Sequence, residues 1–242
     1  MDSFEGDNRN LARLAGLCLP RTGDWLNSLP NKKNGTYLKS SDWAAAAKYR
    51  LNVPLFQTRN KKCKVGGEAL SQHNALVSAV HKIAQDSGLG PIKEARHLLP
   101  DGRCRGNTVI PWGDGALDLA LDLTVTSALR PDIIRRCVTE PQYAATVGRE
   151  RKLRAIGNQA REAGFSFKAL SVTSLGFWDP VAEKQIVTLC RAKSTRLGLC
   201  ESSVIASRAS FNEVHIANRI LNRDLHLEDD VISNGVNEVI NM

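Results

Sequence analysis

The 242-residue sequence has no apolar run approaching the roughly 20 residues needed to span a bilayer. Its acidic, polar start, MDSFEGDNRN, lacks the basic and apolar segments of a secretory signal. None of its six cysteines (Cys18, Cys63, Cys104, Cys137, Cys190 and Cys200) forms a C-x-x-C pair, so free thiols in a reducing compartment, nucleus or cytoplasm, are expected rather than a disulfide framework. No G-x-G-x-x-G follows a strand. No phosphate loop, G-x-S-x-G elbow, H-E-x-x-H site or internal repeat occurs, which removes the corresponding nucleotide-binding, hydrolase and zinc-protease classes.

What is present is a chain that can bury a core. Apolar residues make up 42%, and 33 Lys and Arg against 25 Asp and Glu leave a formal charge of +8, which favours polyanionic partners through counterion release. Residues 11–19 are apolar-rich. Ser41 or Asp42 caps an alanine-rich helix that ends before Pro54, and Trp25 and Trp43 are expected to pack the N-terminal helices together. The basic stretch 57–64 reads as a linker. Three regions follow: an N-terminal helical segment, 1–62; an α/β domain, 63–200; and a C-terminal helix with an acidic tail, 201–242.

Within the middle region, a helix opens at Ser71 with Leu76, Val80, Ile83 and Ala84 at helical spacing, and stops at Gly88-Leu89-Gly90-Pro91. Strands are expected over 92–99, at Thr108–Ile110 and over Leu119–Val125. A long basic helix runs from Tyr143 to Gly164, with Val147, Leu153 and Ile156 toward the core. Another strand starts at Phe167. Asp179-Pro180 opens a helix with proline at its first position, and Phe177-Trp178 covers an end of the sheet. The order predicts a mixed α/β fold: a small mixed β-sheet flanked by helices.

Asp122 stands out because an unpaired carboxylate inside an apolar strand is costly, so metal, Lys or Arg must meet it. Glu94 is a candidate second carboxylate. Lys152 is a candidate partner on the basic helix, beside Arg149, Arg151 and Arg154, which together with His73 are the candidate nucleic-acid contacts. Asp118 lies four residues before Asp122 but follows a turn, and reads as solvent-exposed.

The segments LARLAGLCLPRTGDWLNSL (11–29), YRLNVPLF (49–56), GGEALSQHN (66–74), LALDLTVTS (119–127) and FKALSVTSLGFW (167–178) resemble the C-terminal region of non-LTR retrotransposon polyproteins. That region carries a restriction-endonuclease-like domain of the PD-(D/E)xK type, which nicks target DNA with Mg²⁺ (or Mn²⁺). The resemblance implies that Glu94 and Asp122 hold metal, that Lys152 assists from a helix, and that DNA is the partner. It places the family's first metal Asp at Thr108, with Asn107 beside it as a weaker oxygen donor. The family's zinc cluster is reduced to Cys63, so zinc is not expected. No Tyr-x-Asp-Asp of a reverse transcriptase occurs, and the chain reads as a fragment or decayed copy of the family's tail. The expectation is a nuclease-fold domain impaired in catalysis that retains nucleic-acid binding. The alternatives are an active Mg²⁺-dependent endonuclease and a structural or protein-interaction domain.

Overall fold

A computed structural model describes residues 2–20, 22–23, 40–51, 53, 66–95 and 106–200. Trp25, Cys63, the expected linker 57–64 and the region 201–242 lie outside these residues, as does the second half of the strand expected over 92–99.

In chain order the elements are helices α1 (Asp2–Leu17), α2 (Ser40–Arg50) and α3 (Gly66–Asp86), then strands β1 (Ile92–Ala95), β2 (Gly106–Asp114) and β3 (Leu117–Thr126). Helices α4 (Ile134–Thr139) and α5 (Tyr143–Lys152), a π-helical turn (Leu153–Gly157) and α6 (Asn158–Glu162) lead to β4 (Phe165–Thr173) and α7 (Pro180–Leu197). The four strands form one sheet in the order β1-β2-β3-β4. The first three are antiparallel to their neighbours, and β4 runs parallel to β3. This is the expected mixed α/β architecture with a small mixed sheet.

β3 reads LDLALDLTVT, and its strict alternation builds two different faces. Leu119, Leu121 and Leu123 join Ile110, Leu170 and Val172 and pack against Leu76, Val77 and Val80 of α3 and Ile186 and Leu189 of α7. The other face carries Ala120, Asp122, Thr124 and Thr126, flanked on β4 by Ala169, Ser171 and Thr173. Helix α5 covers that small and polar face.

Several expectations are corrected in detail. Helix α3 opens at Gly66 rather than Ser71, and α2 at Ser40. β2 extends well beyond Thr108–Ile110 and reaches its hairpin through an irregularity between Ile110 and Asp114. The turn is Gly115-Ala116, with Gly115 at φ 65°. The long basic helix is broken into α5, a π turn and α6. Its buried residues are Ala144, Ala145, Gly148 and Ala160, whereas Val147, Leu153 and Ile156 are only half-buried. Small residues win because the helix lies close against the sheet. Helix α4 had no expectation at all: it is six residues long and has no side-chain cap. Trp43 is half exposed, so close packing of the N-terminal helices is not what it provides. Ala12 of α1 packs instead with Ala128, Ile133, Cys137 and Ala144.

The end of the sheet is organised by Asp179. Its Oδ1 accepts a hydrogen bond from the Val181 N–H at 3.0 Å and caps α7, which begins with proline as expected. Its Oδ2 accepts one from Arg149 Nε at 3.1 Å, and its own N–H donates to the Ser171 carbonyl. One 3%-exposed carboxylate thus ties α5, β4 and α7 together. Phe177 and Trp178 are buried beside it, covering the sheet end as expected.

Removing that carboxylate uncaps α7 and strands Arg149. Asp179→Ala is expected to lower unfolding free energy by about 2–4 kcal/mol in urea denaturation. Asp179→Asn, which keeps the cap and loses the ion pair, is expected to lose less.

Candidate functional site

Helix α5 crosses the polar face of the sheet in a fixed register. Ala144 packs with Ala128 beyond the end of β3. One turn later, Gly148 lies so close to the strands that a Cβ built on it would stand 2.5 Å from both Ser171 Oγ and Thr126 Cγ2. One turn later again, Lys152 Nζ reaches Asp122 Oδ2 at 2.8 Å. Four helical residues advance about 6 Å, whereas the four strand residues from Thr126 to Asp122 span about 13 Å, so Lys152 meets Asp122 through the length of its side chain as well as its place one turn after Gly148.

The pair is asymmetric in its surroundings. Asp122 is 2% exposed, while the Lys152 side chain keeps 27% of its surface. At 2.8 Å the contact is a close ion pair, and Oδ2 has no other hydrogen-bond partner. Burial raises the Asp122 pKa above the ordinary carboxylate value, and the opposing pull of Lys152 and His73 does not cancel it. The ionised carboxylate is therefore held at a net cost.

His73, on the second turn of α3, is half-buried and stands within electrostatic reach of Lys152, Asp122 and Glu94. Burial and then Lys152 hold its pKa below the usual imidazole value, outweighing the two carboxylates, so it is neutral at pH 7. Asp122, Lys152 and His73, all singled out from sequence, thus act on one another, with Glu94 acting on the same ring more weakly.

The sheet ladders place the remaining candidates. Lys93 pairs with Thr108 and Thr108 with Leu121, and Lys93 Nζ donates to Ser78 Oγ of α3. Thr108 therefore lies in the Leu121 row, on the α3 side, fully buried and facing away from Asp122. Expecting it beside Asp122 was one residue out. The same ladders, moved by one position, set Glu94, Asn107 and Asp122 in one row, with Ala169 next on β4. Asn107 Oδ1 accepts a hydrogen bond from the Leu123 N–H at 2.6 Å. Glu94 is exposed and has φ 47°, a left-handed conformation that strains any residue with a side chain.

Glu94 and Asp122 are two strands apart, about 10 Å at the usual strand spacing. Among the described residues, no three His, Cys, Asp or Glu side chains gather closely enough to hold a metal ion. A hard divalent cation asks for about six oxygens. Two separated carboxylates, one already neutralised by a lysine, do not fit that demand.

The expected basic cluster is divided among three tasks. Arg149 braces α5 against Asp179 and Lys152 faces Asp122. Arg151 and Arg154 are exposed, Arg154 with its Nε on the Glu150 carbonyl. Lys168, on β4, pairs with Leu121 and donates to Gln185 of α7, so this strand lysine belongs to the opposite face. Asp118 is half-buried at the start of β3 and engaged in an interaction of its own. Gly148 was missed from sequence. The Ala144–Gly148 spacing carries a signal of close packing, but a search for large apolar residues passes over it.

Two stability measurements test this description. Lys152→Met strands a buried carboxylate and is expected to lower stability by about 3 kcal/mol at pH 7. A carboxyl whose folded pKa is raised has its stabilising contribution complete below the unfolded value of 3.8 and loses it as pH rises through the folded value. The Lys152→Met loss therefore shrinks on acidification, and Asp122→Asn, which leaves Lys152 free to reach water, is expected to match or exceed the parent at pH 7. Chemical denaturation at pH 7 and near pH 4 reads both. Separately, Glu94→Gly relieves the left-handed strain and is expected to raise stability by up to about 1 kcal/mol, whereas Glu94→Ala is not. In comparison with known proteins, the chain matches no protein-family model and no curated protein.

Proposed function

We propose that this chain is a nuclease-fold domain, derived from a retroelement endonuclease, that has lost efficient metal-dependent cleavage and keeps phosphate-directed binding to nucleic acid. The observation that carries the reading is the buried Asp122 meeting Lys152 on the polar face of the sheet. Support comes from its being held at a net cost beside a neutral histidine, since sites of chemistry accumulate such costs where core positions do not. The sheet of four strands between helices is compatible with a restriction-endonuclease-like domain.

The row Glu94–Asn107–Asp122 explains the proposed loss. An amide occupies the central position, where a carboxylate would join its two neighbours across adjacent strands. Asn107 replaces Thr108 as the position at which the ancestral metal-binding Asp is missing. Without it, Lys152 stabilises Asp122 in place of a cation. The exposed Arg151 and Arg154 lie close to Lys152 on the same helical segment and are assigned to phosphate contacts. Arg149 is left out because Asp179 engages it.

The expected behaviour is duplex DNA binding that weakens steeply with salt, with no plasmid nicking in Mg²⁺ or Mn²⁺. Combined Arg151→Glu and Arg154→Glu should weaken binding and flatten the salt dependence by about one in log–log slope for each phosphate no longer engaged. Asn107→Asp should strengthen Mn²⁺ binding measured by calorimetry. Metal-dependent nicking by the unaltered chain, abolished by Asp122→Asn, would establish the active endonuclease instead. Absence of any salt-dependent binding would leave a structural or interaction domain.

A further inference from the structure

We infer that Gly148 and Arg149 are positioning residues that set the height and rotation of α5, and so hold Lys152 against Asp122. This rests on the proposed reading of the Asp122–Lys152 pair as the remnant of a cleavage site in which the lysine stands in place of a cation. Gly148 sets the height. A Cβ at this position would stand 2.5, 2.5 and 3.3 Å from Ser171 Oγ, Thr126 Cγ2 and Thr124 Cγ2. These are rigid sheet neighbours, so a methyl group there lifts the helix rather than displacing a flexible chain end.

Rotation is set one residue on. Arg149 Nε holds Asp179 Oδ2 at 3.1 Å, and Asp179 is itself immobilised as the α7 cap and through its N–H on the Ser171 carbonyl. Arg149 and Lys152 are three residues apart and emerge from neighbouring positions on the helix surface. An α5 held at Gly148 and turned to Asp179 can deliver Lys152 only toward Asp122. The fixing is needed at this end because Lys152 closes α5 and the next five residues form the π turn, in which the regular hydrogen-bond ladder is interrupted.

The test is a double-mutant cycle between Asp122→Asn and Lys152→Met, read by chemical denaturation. It is run in the unaltered chain, in Gly148→Ala and in the relieved triple variant Gly148→Ala, Thr126→Ser, Ser171→Ala. The triple variant removes the methyl and hydroxyl that the new Cβ would strike, and Ser171 Oγ gives up no hydrogen bond. Coupling between Asp122 and Lys152 is expected to fall to zero within error in Gly148→Ala and to return in the triple variant. Ile186→Val, a core change on the opposite face, is expected to reduce stability and leave the coupling intact. Should Gly148→Ala not fold, Arg149→Gln carries the same test, with coupling expected to fall by at least half. Coupling unchanged in a folded Gly148→Ala or Arg149→Gln protein overturns the inference. Duplex DNA affinity is measured in parallel. If the combined Arg151→Glu and Arg154→Glu variant binds DNA as tightly as the parent, the functional reading fails, while the cycle still decides whether these two residues position the lysine.

Discussion

A carboxylate sealed between a helix and a sheet constrains everything placed around it. Asp122 is surrounded by alanine, threonine and serine on its own face, with leucines filling the reverse of the same strands. Small residues leave room for α5 to come down close to the sheet, and only a close helix can bring a lysine to 2.8 Å from that oxygen. Larger residues on this face would add apolar contact and hold the helix away. The polar face therefore gives up some burial energy, and the leucine-rich face with α3 and α7 supplies most of the core.

The ion pair shapes the electrostatics of its surroundings. Lys152 is close enough to depress the His73 pKa, and Asp122 and Glu94 act on the same ring in the opposite sense. Positive charge is placed so that it satisfies one internal acid and still reaches the surface through a partly exposed side chain.

Much of this was legible in the amino-acid order. The alternation around Asp122 marks a buried strand, Asp179-Pro180 states its helix start plainly, and Lys152 follows from asking what could neutralise Asp122. The misses have physical causes. Thr108 was placed by linear motif, yet whether a side chain joins Asp122 depends on cross-strand pairing, and a shift of one residue moves it to the other face. Arg149 was grouped with its basic neighbours because adjacency in sequence hides direction; only the fold shows that Asp179, thirty residues on, takes it. Gly148 carries no charge and no bulk, so its importance appears only once the distance between helix and sheet is known.

The π turn at Leu153–Gly157 has a consequence for how the basic residues of this region combine. Each extra residue in a helical turn rotates the downstream segment by about 100° relative to an uninterrupted α-helix. Arg161 of α6 is thereby put out of phase with Arg151 and Arg154, and a wheel drawn straight through 143–162 would merge charges that look in different directions. The basic residues of the segment therefore fall on two short faces rather than along one continuous stripe.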